Sequence, residues 1–169
     1  MDFRVGEKVV YPNQGVGIIE QISTRNLTGQ SEVFYLLRLN TSTLRVMVPR
    51  SNVGNVGLRR VTRGPEIEPV VDYLQKGSCK TGGDWKGRFK ANCEKMRSGS
   101  LKEVAEVFKS LVTLSQAKPL SFREKKMFDR AWNLLVDEIT ISRGQSRETT
   151  EAQLLRVLGK ANLRVQLPS

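Results

Sequence analysis

The chain has 169 residues, 28 of them lysine or arginine and 17 aspartate or glutamate, for a net charge of +11. Its hydrophobic fraction of 38% suits a folded chain rather than a disordered one. No apolar run approaches the roughly 20 residues of a membrane helix. With two cysteines and no histidine, Cys79 and Cys93 lack the partners for a zinc site, and Ser-His or Cys-His mechanisms are excluded. The opening MDFRVGEKVV has no secretory apolar stretch, so a cytoplasmic protein without a cofactor is expected. The positive excess attracts polyanions, chiefly nucleic acid.

Val5, Val9 and Tyr11 fall at even spacing and predict a first strand. Tyr11-Pro12-Asn13-Gln14-Gly15 reads as a turn, because Pro12 fixes φ and Gly15 can take a positive φ. Val16, Ile18, Glu20 and Ile22 resume period two, and Asn26 to Gln30 forms the next turn. Val33 to Leu39 and Leu44 to Val48 complete a set of four or five strands. Short strands joined by tight turns favour a small curled barrel or sheet. Residues 52–57 read as a loop.

Gly64-Pro65 then opens a first helix over about 65–76, with proline in its first turn. Residues 77–83 read as a connection, and a second helix spans about 84–97. The third starts at Ser100-Leu-Lys-Glu103 and the fourth at Ser121-Phe-Arg-Glu124, both with capping-box spacing. Met127, Phe128, Ala131, Trp132, Leu135 and Ile139 give the fourth helix an apolar stripe. A last helix is expected over about 148–159. The predicted class is α+β: a β domain over 1–60 followed by a compact all-α domain of about five helices over 61–169.

Residues 1–60 hold 8 basic and 4 acidic side chains, +4, and residues 61–169 hold 20 and 13, +7. In the helical part the cations concentrate in 80–97 and 118–130, at or near helix starts, where the positive end of the helix also favours phosphate. Gly77-Ser-Cys-Lys-Thr-Gly82-Gly83 is not a phosphate loop, because Asp84 rather than Lys-Ser/Thr follows the closing glycine. The carboxylates do not converge as two-metal hydrolysis needs, so no enzyme is expected.

The two tryptophans differ. Trp132 lies on an apolar stripe and reads as core. Trp85 stands among Lys86, Arg88 and Lys90, with Phe89 alone at helical spacing. It reads either as a packed anchor or as an exposed wedge that unstacks base steps while neighbouring cations hold phosphates. Arg25, ending a β strand at a turn, reads either as a solvated charge or as a strand-edge contact to a partner protein.

MDFRVGEKVVYPNQGVGIIEQI, FYLLRL and RVMVPRSNVGNVGLRRV resemble the start of CarD/CdnL-type bacterial transcription factors. WKGRFKANCEKMRSGSLKEVAEVFKSL and LSFREKKMFDRAWNLLVDEI resemble that family's helical domain. The likeness covers roughly residues 1–160 and is collinear. It implies a Tudor-like, SH3-like first domain that binds the RNA polymerase β subunit. It also implies a helical domain that contacts promoter DNA at the upstream edge of the melted region, weakly and largely without sequence preference.

By position, Trp85 matches the family's minor-groove wedge. Arg88, Lys90 and Lys125 match basic DNA-contacting residues, and Arg25 and Leu27 match the polymerase-facing edge. Met47 stands where some members have arginine, so an apolar contact replaces an ionic one. Gly87 also stands where some have arginine, with Lys86 as the substitute charge. The expectation is a monomeric, polymerase-tethered regulator that stabilises the open complex and is nucleoid-associated through that tether. The alternative is an architectural DNA-binding protein independent of polymerase.

Overall fold

The first strands form because the chain supplies β-branched residues between turns that only special backbones can make. In the computed structural model, residues 2–79 and 85–167 are described, with Leu27 by its backbone alone. The chain divides into two units, Met1–Val61 and Thr62–Ser169. In the first, β1 (Lys8–Tyr11) and β2 (Gly15–Leu27) flank a turn with Asn13 at φ 66° and Gly15 at φ 112°. β2 and β3 (Gln30–Leu39) are joined by Thr28-Gly29 at φ 50° and 80°. Positive φ at both central residues is the two-residue hairpin turn that matches strand twist.

With β4 (Arg45–Pro49) and β5 (Arg59–Arg60) the strands make one antiparallel sheet in the order β4-β3-β2-β1-β5. One face buries Val9, Ile19, Tyr35, Leu37 and Val48 against Phe3, Val53 and Leu58. The Phe3 N–H donates to the Tyr35 hydroxyl at 3.3 Å, and the two rings meet edge-on at 5.5 Å.

Three details depart from the sequence reading. Val5 is 62% exposed and precedes β1 instead of belonging to it. β1 lies between β2 and β5 and buries the adjacent Val9 and Val10, so its pattern is continuous rather than alternating. Residues 52–57 are not an open loop: a 3-10 turn (Arg50–Asn52) leads into α1 (Val53–Val56). Val53 enters the core, and Gly57 closes the turn in the left-handed region at φ 81°.

The second unit is helical, and with the sheet it makes the α+β class that the sequence predicts. It holds α2 (Gly64–Lys76), α3 (Trp85–Ser98), α4 (Leu101–Ala117), α5 (Phe122–Arg143) and α6 (Arg147–Lys160). The Ser100 hydroxyl accepts from the Glu103 N–H at α4, and Ser121 with Glu124 closes a full capping box at α5. Phe108 on α4 sits 5.0 Å from Phe128 and 5.4 Å from Trp132, ring to ring, at the centre of the core. Ile67 and Leu74 close that core from α2, and Leu154 and Leu158 from α6.

Lys109 is the buried exception on α4. Its ammonium donates to the carbonyls of Tyr73 at 2.9 Å and Gly77 at 2.6 Å, capping the end of α2, and burial lowers its pKa. Gly77 is required there, since a Cβ would stand 2.3 Å from the Tyr73 ring. The rest of the expected 77–83 connection, with Lys80, and the expected helix start at Asp84 lie outside the described residues.

Candidate functional site

Two surfaces carry the residues singled out in the sequence, one on each unit. On the helical unit, α3 opens at Trp85. Its indole is 37% exposed and stacks parallel on Phe89, one turn along, with ring centroids 5.7 Å apart. Lys86, Gly87 and Lys90 are exposed beside it. The ring is therefore stacked on hydrocarbon while the residue as a whole stays partly exposed, an arrangement that braces a large aromatic without burying it.

Arg88 differs from what its basic setting suggests. Its side chain is 7% exposed, and its guanidinium pairs with Glu124 Oε2 at 3.3 Å. Expected as a phosphate contact, it is instead a buried ion-pair member that ties α3 to the first turn of α5. The reason is helical spacing: residues 88, 92 and 96 form one row, and Asn92 and Met96 in that row are buried.

Glu124 lies likewise in the buried row of α5, one turn before Phe128 and two before Trp132. Burial pushes its carboxyl pKa up, but hydrogen bonds from the Ser121 N–H and hydroxyl side and the Arg88 guanidinium outweigh that. Together they hold it below the ordinary glutamate value. One turn of α5 thus turns its only acid inward and leaves Arg123, Lys125 and Lys126 exposed. Lys126 Nζ lies 4.7 Å over the ring of Phe122, which is 72% exposed. Sequence reasoning passed over Phe122. Its signal was that it lies outside the spacing of the α5 stripe.

On the sheet unit the register sorts side chains by face. Tyr35 and Val48 are paired neighbours on the buried face. The next row, Gln21-Leu36-Met47, faces the other way, followed by Ser23-Phe34-Pro49 and then Arg25-Glu32. Met47, 40% exposed, belongs to the edge strand β4. Arg25 is exposed directly opposite Glu32, which accepts a hydrogen bond from the Ser51 hydroxyl. Leu27 ends β2 opposite Gln30, and its side chain lies outside the described residues.

The register therefore brings Arg25 and Met47 to one face, with Leu36 and Phe34 half-buried between them. Arg25 lies within β2 rather than at its end, because the strand runs two residues further before turning at Thr28. The neighbouring apolar Leu36 and Phe34 were not identified from the sequence as part of this surface. Their alternation with Tyr35 and Leu37 was the available signal.

Comparison with known proteins agrees with both units. Residues 3–62 match the family described as CarD-like/TRCF RID domain, and residues 69–155 match CarD, C-terminal domain. A Bacillus subtilis (strain 168) protein named "Putative transcription factor YdeB" is 32% identical over 142 residues, 84% of this chain and 93% of that one. The solution NMR structure of the 72-residue N-terminal domain of Myxococcus xanthus CarD is 37% identical, covering 35% of this chain and 79% of its own, with a TM-score of 0.31. CdnLNt from the same organism is 43% identical, covering 36% and 86%, also at 0.31. Matched by family in its sheet and in its helices alike, and along most of its length by a relative, the chain belongs to the CarD/CdnL family, a family of transcription factors.

Proposed function

We propose that this protein is a non-enzymatic transcription regulator. It binds the RNA polymerase β subunit through its sheet and promoter DNA through the α3–α5 face, and so stabilises the open complex. The observation that carries the reading is Trp85, partly exposed, braced by Phe89 and set beside exposed Lys86 and Lys90. The match of residues 3–62 to the CarD-like/TRCF RID domain, a polymerase-interacting domain, supports the protein partner. Arg25, Leu27 and Met47 are its proposed contacts. Lys86, Lys90 and Lys125 are the proposed phosphate contacts, and Arg88 acts behind them by holding α3.

The mechanism is differential binding. A contact made to melted or distorted DNA but not to closed duplex shifts the closed–open equilibrium by the difference in free energy. An aromatic wedge supplies at most about a few kcal/mol, the scale of unstacking one base step. Affinity for free DNA is therefore weak, and attachment to polymerase raises the effective concentration.

Trp85→Ala should leave polymerase binding intact and shorten open-complex lifetime; an unchanged lifetime would remove the wedge. Arg25→Glu should abolish pull-down of the β subunit. Because Glu32 stands opposite, the same variant costs about 1 kcal/mol in the sheet, so its melting temperature is the control. Retained pull-down would rule out this face. A polymerase-independent architectural protein would bind duplex DNA equally well with or without the Arg25 substitution and would not alter open-complex lifetime.

A further inference from the structure

We infer that Phe122 is a second aromatic contact to melted DNA, with the open face of its ring taking an unpaired base. The inference rests on the proposed promoter contact of α3 and α5.

Phe122 is the first residue of α5 and is 72% exposed, about twice the figure for Trp85. It has no part in starting the helix: Ser121 and Glu124 supply the capping box. It is also outside the buried row of Phe128, Trp132 and Leu135, so its ring adds nothing to the core. One face of the ring carries the Lys126 ammonium at 4.7 Å, a cation placed to meet a phosphate once a base occupies the other face. Arg123 and Lys125 flank it. The occupant is set by charge. The only acid in this turn, Glu124, faces inward to Arg88, which leaves an aromatic among three cations. A single strand presents both a π-face and a phosphate at that spacing, whereas an acidic protein surface would use the cations and leave the ring idle.

The Arg88–Glu124 pair also fixes where Phe122 stands. Glu124 faces Arg88 on α3, and Phe122, two residues earlier and about 200° round the helix, is thereby turned to the outer side of α5.

The test uses the full chain with RNA polymerase holoenzyme on one promoter, comparing wild type, Trp85→Ala, Phe122→Ala, Phe122→Leu and Phe122→Trp. Phe122→Ala and Phe122→Leu should shorten open-complex lifetime by about fivefold, the effect of losing one base stack. Phe122→Trp should retain it, and none of the three should change the melting temperature or the pull-down of polymerase. A photoreactive benzoylphenylalanine at position 122 should crosslink to DNA within the melted region. Wild-type lifetime for Phe122→Ala beside a shortened one for Trp85→Ala would overturn this inference alone. Wild-type lifetime for Trp85→Ala would overturn the promoter-contact reading and this one with it. A lowered melting temperature for Phe122→Ala, or a crosslink to polymerase instead of DNA, would also overturn it.

Discussion

Glu124 shows how one side chain can serve three structures at once. Its carboxylate completes the start of α5, neutralises Arg88 and removes negative charge from the basic face. Breaking a buried pair leaves the partner charge uncompensated, at a cost of about 3 kcal/mol or more. Glu124→Gln should therefore lower stability at neutral pH by roughly that amount. The pH dependence has a definite sign. The folded-state pKa lies below the ordinary 4.5, so the contribution is complete above the unfolded value and is lost as pH falls through the folded one. Denaturation curves of wild type and Glu124→Gln should thus converge on acidification below about pH 4.5. A gap that stays constant to pH 3 would show that the pair contributes nothing through its charge. Arg88 reads from the sequence as a DNA-contacting cation because it lies in a basic segment and matches a basic position of the family. The spacing to Asn92 and Met96 held the opposite answer, but α3 is so polar overall that no apolar stripe marked its inner side.

At the scale of elements, the β2–β3 hairpin is the longest paired segment of the sheet and turns on Thr28-Gly29. Gly29 adopts φ 80° freely, whereas Thr28 holds a β-branched side chain at φ 50°, a region such residues avoid. Thr28→Asn supplies the residue that this turn prefers at its first position. It should stabilise the hairpin by about 0.5–1 kcal/mol, measured as slower amide hydrogen exchange in β2 and β3. Exchange unchanged or faster would mean that the turn is held by its surroundings instead. Most elements were legible because each begins or ends on a residue with a physical reason to be there: Pro65, Ser100, Ser121, Gly29. β5 was not, since two residues carry no periodicity and pair only because β1 offers an edge. α1 was hidden by two glycines and two asparagines, although Val53 at its start is buried in the core.

Across the whole molecule, charge is unevenly held, with +4 in residues 1–60 and +7 in the remainder. The family was legible in motifs that run through both units, and the positive excess was legible in the lysine clusters. What composition did not reveal was which cations face outward. If four to six phosphates are neutralised, the logarithm of affinity for free duplex should fall against the logarithm of salt with a slope of about −4 to −5. Lys125→Ala should flatten that slope by about 1, and Arg88→Ala should weaken binding only through loss of helix position. An equal change of slope for both, measured by titration at several potassium concentrations, would return Arg88 to the surface.

The inward turn of Glu124 also decides which solvent conditions the protein can sense. With that carboxylate committed to Arg88, the outer charge of residues 121–126 belongs to arginine and lysine alone. Osmotic stress, which concentrates intracellular ions, screens it directly, so the proposed contact with promoter DNA should follow the cell's water content.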